Sequence, residues 1–157
     1  MSTYLSLYMD NPTQGQKDGT LVSENMIQTS PLSVTLNATE NESKSIKVAL
    51  RCEDGYRTNG ATVVGFKYWD GSVYQDEGGN VSKWKVAKYT GETEPTTWAD
   101  SLVIEDIICT ENYCFWVKAS ASSDEKPQTD RTVGIHIEGI VEADETASDD
   151  GGSITVM

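Results

Sequence analysis

The residues able to do acid–base or nucleophilic chemistry are few in this chain. His136 is the only histidine, so a Ser/His/Asp or Cys/His arrangement would have to use it as the base. The alternating run around it places His136 on the polar face of a strand beside Glu138, which indicates an exposed strand histidine. The 25 acidic residues make a glycosidase-like carboxylate pair easy to find anywhere, so such a pair predicts little. We therefore predict that the chain is not an enzyme.

Patterns that would bind a metal or a nucleotide are also sparse. Zinc sites of the usual kinds need histidines or paired cysteines, and Cys52, Cys109 and Cys114 show no Cys-x-x-Cys spacing. The acidic groups at 76–80 and 124–130 offer oxygen ligands to Ca²⁺, but neither follows the twelve-residue loop that ends in Glu. No glycine-rich loop precedes a helix in the way that phosphate binding requires. The sequence predicts no metal and no cofactor.

The tryptophans offer a different chemistry, which is stacking against sugar rings. Trp69, Trp98 and Trp116 are the candidates for a glycan-stacking platform of the kind that β-sandwich carbohydrate-binding modules present. Trp116 is the most suggestive, because the alternation points it away from the face of Phe115 and Val117. The same aromatic residues would also serve core packing or a subunit interface.

The elements that must position these side chains are strands. Residues 112–120 and 131–141 alternate apolar and polar side chains, which is the period of a strand with one buried face. The polar connection 121–130 between them suits an exposed hairpin loop or a crossover between two sheets. Further alternating runs, bounded by Gly, Asn, Asp and Pro turn signals, lie at 2–9, 31–37, 45–52, 61–69, 81–89 and 101–108. About seven or eight short strands without a helical period predict an all-β, immunoglobulin-like β-sandwich.

Two local predictions are specific. Within 45–52, Ile46, Val48 and Leu50 should face the core, and Lys47, Ala49 and Arg51 should face solvent. Residues 53–60 carry two strong turn signals, Asp54-Gly55 and Asn59-Gly60, so we expect the chain to turn within this stretch before the next strand.

The sandwich should occupy residues 1–141. Residues 10–31 begin with turn residues and continue without a clear period, so we expect an extended N-terminal arm or loop that lies along this domain or a neighbour. Asn11 and Pro12, at its start, are predicted interface residues. The arm cannot stabilise itself, because ordering each residue costs about 1–2 kcal/mol of backbone entropy that contacts must offset.

Residues 142–157 should form an acidic C-terminal tail. Arg131 is the last basic residue, and nothing balances the acidic residues beyond it. Ile154, Val156 and Met157 are the apolar cluster of this tail, and we predict that they form a terminal strand that pairs with the exposed sheet edge of a neighbouring chain.

Charge and the N-terminus exclude several classes of partner. The formal net charge of −13 repels phosphate backbones, so we predict no direct contact with nucleic acid. Residues 1–5 show no basic n-region, and no apolar run is long enough to span a bilayer. Three cysteines cannot all pair, which favours reduced thiols, with a Cys109–Cys114 bridge as the alternative. Together these features predict no membrane contact and synthesis in the cytosol without export by a cleaved signal.

Several groups of residues carry a resemblance to a known class of protein. They are Asn11-Pro12-Thr13 with Asp18-Gly19-Thr20, residues 31–36, Leu50-Arg51-Cys52 with Gly55-Tyr56, and residues 115–120 with Glu125-Lys126-Pro127. Across residues 3–141 they resemble the small Ig-like proteins encoded among the structural genes of tailed phages and prophages of gut Firmicutes. The acidic tail departs from this likeness.

The resemblance implies a non-enzymatic structural component of a virion, made in the cytoplasm of the host bacterium. Such a protein would decorate the capsid or belong to the tail or baseplate, with other virion proteins and further copies of itself as partners. The alternative interpretation is a carbohydrate-binding module that attaches to glycans through its surface aromatics. The two differ in one observable feature, because a structural subunit buries its surface against partners whereas a sugar module leaves an aromatic patch open.

Overall fold

The computed structural model describes residues 4–22, 35–37, 40–121, 133–144 and 155–156. In these parts the chain forms two antiparallel β-sheets that share one apolar core. The prediction of an all-β fold is confirmed, with ten strands, of which three have only two residues.

The first sheet, called sheet A, has five strands. They are β1 (Leu5–Met9), β2 (Thr20–Leu21), β3 (Ser43–Cys52), β6 (Trp84–Lys88) and β8 (Tyr113–Ser120). Their order across the sheet is β2-β1-β3-β8-β6. The register pairs Val48 with Phe115 and Ile46 with Val117. The apolar residues of the two central strands therefore lie on one face, as their alternation predicts.

The second sheet, called sheet B, is built around one long strand. Its strands are β4 (Tyr56–Trp69), β5 (Tyr74–Gln75), β7 (Leu102–Ile104), β9 (Val133–Ala143) and β10 (Thr155–Val156). The order is β10-β9-β4-β5, and β7 also pairs with β4. The connection 121–130 thus joins β8 of sheet A to β9 of sheet B, which selects the crossover from the two predicted alternatives.

The core lies between the inner faces of the two sheets. Sheet A contributes fully buried Val48, Leu50, Phe115 and Val117, and sheet B contributes Val64, which is also fully buried. Burial of each large apolar side chain stabilises the fold by about 1.5–3 kcal/mol relative to exposure.

The turn predicted within 53–60 lies at Asp54-Gly55, where the N–H of Tyr56 donates to the carbonyl oxygen of Glu53 at 3.1 Å, whereas the turn signal at Asn59-Gly60 is wrong. Both residues lie inside β4, where the register with β9 shifts between Asn59 and Val63. Gly60 has a φ of 81°, and this left-handed conformation is the one that a bulge shares with a tight turn, which explains the misleading signal. Opposite the bulge, a Cβ at position 139 would lie 3.0 Å from Oγ1 of buried Thr62, so Gly139 makes room for the extra residues.

The predicted solvent face of β3 is also wrong in two places. Lys47 and Ala49 point away from the core as expected, yet Lys47 is only 5% exposed and Ala49 is fully buried. Lys47 lies beneath Glu92 of the connection 89–100, and Ala49 lies between Tyr8 and Cys114 of the neighbouring strands.

Some predicted boundaries differ from the structure. Residues 35–37 are not in a strand, and 31–34 lie outside the described residues. β7 ends at Ile104. In the connection that follows it, Ile107 is exposed and Ile108 is buried. β9 continues to Ala143 and takes in the first two residues of the predicted tail.

Candidate functional site

The three predicted stacking residues do not share one surface. Trp69 is the last residue of β4, in sheet B, and its ring centroid lies 4.9 Å from that of Tyr74 in β5. Trp116 lies in β8 on the outer face of sheet A, opposite Lys47 in the register. Trp98 lies beside the same sheet, so the structure brings two of the three tryptophans to sheet A.

Trp98 makes two contacts, one through its indole nitrogen and one through the face of its ring. Its Nε1–H donates to the carbonyl oxygen of Pro95 at 3.1 Å. The Nζ of Lys118 lies 4.7 Å from the Trp98 ring centroid, which is a cation–π contact. Lys118 and Trp116 are two residues apart in β8, so both side chains project from the outer face.

A groove lies between β6 and the connection that follows it. Its volume is about 410 Å³, and its lining includes Val86, Lys88, Thr90, Pro95, Thr97 and Trp98. This volume falls within the range of small-ligand sites. Trp116 is not part of the lining, so the groove offers one tryptophan, not a pair.

Lys47 is a buried cation beneath the connection 89–100. Its side chain is 4% exposed, and its Nζ lies 2.8 and 2.6 Å from the two carboxylate oxygens of Glu92. Trp116, its neighbour on the sheet, has a buried Nε1 without a hydrogen-bond partner among the described residues. The connection therefore supplies the counter-charge that lets Lys47 stay buried.

The loop 10–19 covers another part of the outer face and is organised around Asn112. Asn112 precedes β8 and is 2% exposed. Its amide nitrogen donates to the carbonyl oxygens of Thr13 (3.0 Å) and Asp18 (3.2 Å) and to Oδ1 of Asp18 (2.8 Å), while its Oδ1 accepts from Arg51 (2.7 Å). The sequence gives little signal for this role, because Asn112 looks like the polar start of a strand.

Asp18 closes the loop on itself. Its carboxylate accepts the backbone N–H and the hydroxyl of Thr13, both at 2.7 Å. These hydrogen bonds, with the one from Asn112, hold the pKa of Asp18 below its ordinary value.

The two predicted interface residues of the arm lie in this loop. Asn11 is exposed with a φ of 59°, and Pro12 is buried. The carbonyl oxygen of Pro12 lies 3.6 Å from the thiol of Cys114, whose backbone N–H donates to Oε1 of Gln14 at 2.8 Å. Residues 10–22 therefore lie on their own domain, whereas 23–34 lie outside the described residues.

The predicted tail cluster is described only in part. Thr155 and Val156 form β10, whose backbone pairs with Glu142 and Val141 of the same chain. Ile154 and Met157 lie outside the described residues. Pairing of this strand with a neighbouring chain remains a prediction.

The three cysteines are all free thiols in different surroundings. Cys52 is buried on the inner face of β3, and burial raises its pKa to about 12. Cys114 is buried on the outer face of β8 beneath the loop 10–19, and burial raises its pKa to about 11. Cys109 is exposed, and its carbonyl oxygen accepts the N–H of Cys52 at 2.7 Å.

The outer face of sheet B carries charges that are paired within the face. His136 Nε2 lies 2.8 Å from Glu138 Oε1, and this contact holds the pKa of Glu138 below its ordinary value. The other pairs are Arg57 with Glu142 at 3.2 Å and Lys67 with Asp76 at 3.3 Å. As predicted, His136 lies on the outer face of its strand beside Glu138.

Between these ion pairs, the same face exposes apolar residues on three adjacent strands. Val103 of β7 is 54% exposed, and Val63 of β4 and Ile140 of β9 are each 38% exposed. Val63 and Val103 are directly opposite in the register. The sequence contained a signal for this patch, because all three are apolar residues at positions whose alternation faces away from the core.

The described residues also bear on metals and membranes. In the ranges 4–22, 35–37, 40–121, 133–144 and 155–156, no group of three or more His, Cys, Asp and Glu residues could hold a metal ion. Asp76, one of the acidic residues in the group at 76–80, pairs with Lys67. Nor does any helix in these ranges have the length and apolar character needed to cross a membrane.

A scan against models of known protein families finds no match to this chain, and a search of the curated proteins finds none either.

Proposed function

We propose that the chain is a non-enzymatic structural component of a tailed-phage virion, with an Ig-like β-sandwich that acts through protein–protein contacts. It decorates the capsid or belongs to the tail or baseplate. The proposal starts from the resemblance of residues 3–141 to small Ig-like virion proteins, and surface properties of the sandwich support it.

The observation that carries the proposal is the difference between the two outer faces. On the outer face of sheet A, Lys47 is buried beneath Glu92 of the connection 89–100, and Cys114 is buried against Pro12 of the loop 10–19. Sheet B exposes Val63, Val103 and Ile140. Exposed apolar residues that are grouped on one face and rimmed by polar residues are typical of protein interaction sites.

The experiment compares two exposed valines in purified phage particles. Val103→Lys places a charge in the apolar patch, and Val73→Lys places the same charge in the β4–β5 turn at nearly equal exposure, 54% against 56%. Copy number per particle is measured by quantitative mass spectrometry. We expect Val103→Lys to lower the copy number and Val73→Lys to leave it unchanged, with both purified variants folded.

Two outcomes would count against the proposal at different levels. If Val103→Lys assembles at the wild-type copy number, the face of sheet B is not the contact surface. If the wild-type chain is missing from purified particles altogether, the virion function is wrong.

A second candidate function, attachment to glycans, is supported by Trp98 and the groove of about 410 Å³ beside it. The separate position of Trp69 in sheet B weakens it, because stacking platforms need aromatic rings on one surface. Binding to a glycan array, lost in Trp98→Ala and kept in Trp69→Ala, would favour this function over the structural one.

A further inference from the structure

Among the described residues, β9 lies at an edge of sheet B that β10 covers only in part. One side of β9 pairs with β4 along most of its length, and on the other side only Val141 and Glu142 pair, with β10. Within the described part of the chain, residues 133–140 have no strand partner on that side. The edge of sheet A at β6 is shorter and is partly covered, since Val86 and Ala99 exchange two backbone hydrogen bonds. An open edge of this length is a template for another strand.

We propose that two copies of the chain pair through their β9 edges, antiparallel, about a two-fold axis at Ile137. The two copies of sheet B then form one continuous sheet. This inference rests on the proposed structural function and deepens it by naming a second copy of the chain as the first partner. Such an interface is isologous, so every contact occurs twice.

The direction of the backbone groups fits this axis. The N–H of Asp144 donates to the carbonyl oxygen of Gly55, next to β4, at 2.8 Å. Backbone N–H and C=O groups alternate in direction along a strand, so the even-numbered residues of β9 direct these groups toward β4, as Asp144 does. Ile135, Ile137 and Gly139 direct their N–H and C=O groups toward the opposite side. With Ile137 opposite itself and Ile135 opposite Gly139 of the partner subunit, the interface gains about six hydrogen bonds.

The position of β10 limits the length of the contact. It occupies the edge at Val141 and Glu142, so an incoming strand can extend only to Ile140. A symmetric pairing about Ile137 uses residues 134–140 on both copies and places Val133 of the partner subunit opposite Val141, the position that Val156 of β10 occupies. The interface and β10 therefore fit together only where Val133, the first residue of β9, turns away from the sheet.

Charge selects the same register. With the axis at Ile137, His136 lies opposite Glu138 of the partner subunit in a non-hydrogen-bonded pair, where side chains approach most closely. Moving the axis to Glu138 places this residue opposite Glu138 of the partner subunit, and like charges directly opposite each other are destabilising. A register slip that pairs odd with even positions would turn the apolar face of β9 toward solvent.

The groups around this contact favour self-association in an otherwise acidic chain. The net charge is −13, so most surfaces of two copies repel each other. His136 is in contact with Glu138, and Lys67, which lies on the neighbouring strand, pairs with Asp76. Arg57 pairs with Glu142 at the end of the same face. Two of the carboxylates on this face, Asp76 and Glu142, thus have cationic partners, and Glu138 is in contact with the ring of His136.

The first test is the mass of the purified full chain by sedimentation equilibrium between about 1 and 500 µM. We expect a monomer–dimer equilibrium in the wild type. His136→Glu places a carboxylate opposite Glu138 of the partner subunit, and the symmetry repeats this contact. It should therefore raise the dimer dissociation constant about tenfold. Adding Glu138→Lys to it restores opposite charges and should recover the wild-type constant. Glu53→Lys, which changes the same net charge away from the edge, serves as the control for Glu138→Lys.

Hydrogen exchange supplies a readout that needs no substitution. The amides of Ile135, Ile137 and Gly139 should be protected at high concentration and lose protection on dilution, while those of His136 and Glu138 stay protected by β4 at both. A wild-type chain that remains monomeric up to 500 µM, or a double variant that dimerises no better than His136→Glu, overturns the proposal. If the chain forms no dimer in solution but is present in particles at its normal copy number, this interface is rejected and the virion function is retained.

Discussion

Lys47 lies in the middle of β3 with almost no exposure, and its ammonium group meets both carboxylate oxygens of Glu92. The stability of this arrangement depends on Glu92, which is itself 63% exposed on its side chain. Removing one partner of a buried charge pair is costly because the other charge remains away from water, whereas replacing the buried charge with an apolar group of similar size is often nearly neutral.

We predict that Glu92→Ala lowers the free energy of unfolding by about 1–3 kcal/mol and that Lys47→Met lowers it by less. Urea denaturation measures both. Glu94→Ala, in the same connection and exposed, should change stability by less than about 0.5 kcal/mol. A larger loss for Lys47→Met than for Glu92→Ala would mean that Lys47 contributes through more than this pair.

The carboxylate of Asp18 gives the protein a defined response to acid. Its pKa lies below the ordinary 3.8 because of the bonds from Thr13 and Asn112. A lowered folded-state pKa stabilises the fold above pH 3.8, and this contribution disappears as the pH falls through the lowered value. We expect Asp18→Asn to lower the melting temperature at pH 7 and the difference from wild type to shrink below pH 3.8.

The matched control is Asp54→Asn, which removes the same charge from a side chain that is 88% exposed. Its melting temperature at pH 7 should stay close to that of the wild type. A difference between Asp18→Asn and wild type that is constant from pH 7 to pH 2 would show that the loss comes from the shape of the amide and not from the lost charge.

Among the elements, the loop 10–19 depends on one residue outside itself. Asn112 donates to three acceptors in the loop, and it is the buried end of the contact. We predict that Asn112→Ala costs about 2–4 kcal/mol, because the buried side chain makes four hydrogen bonds and each contributes roughly 0.5–1.5 kcal/mol. Trypsin should then cleave after Lys17 under native conditions, which gel electrophoresis detects.

Asn59→Ala provides the comparison, since Asn59 is exposed and its amide makes one hydrogen bond, to Glu142. It should leave Lys17 resistant to trypsin. Equal cleavage of wild type and Asn112→Ala would contradict the assignment of Asn112 as the anchor of the loop.

The elements also show how far the sequence could be interpreted. The alternation in 112–120 and 131–141 correctly predicted β8 and β9 and their buried faces, because period two reflects the pleat of the strand itself. The same pattern cannot reveal what lies over the polar face. The burial of Lys47 and Ala49 depends on connections distant in sequence, so those two predictions failed.

On the scale of the whole molecule, the two sheets are used differently. On the outer face of sheet A, Lys47, Ala49 and Cys114 are buried, while among the described residues sheet B exposes an apolar patch and one side of β9. The apolar patch was only partly predictable: Val63, Val103 and Ile140 are visible in the sequence as apolar residues at outward positions, but the strand pairing that brings them onto one face is not. The three tryptophans do not form one platform, because Trp69 and Trp116 lie on strands of different sheets. A local alternation pattern does not reveal which sheet a strand joins.

The different burial of the three free cysteines makes their reaction rates a measure of how often each part of the fold opens. At neutral pH a thiol with a pKa of about 11 or 12 holds almost no reactive thiolate, and burial denies reagents access as well. Cys109 should therefore be alkylated first, on the exposed surface. Cys114 should follow at the rate at which the loop over sheet A lifts, and Cys52 only when the two sheets separate. Pulsed alkylation read by mass spectrometry would time loop opening and global unfolding in one experiment, and a Cys52 that reacts as fast as Cys109 in the native protein would contradict this order.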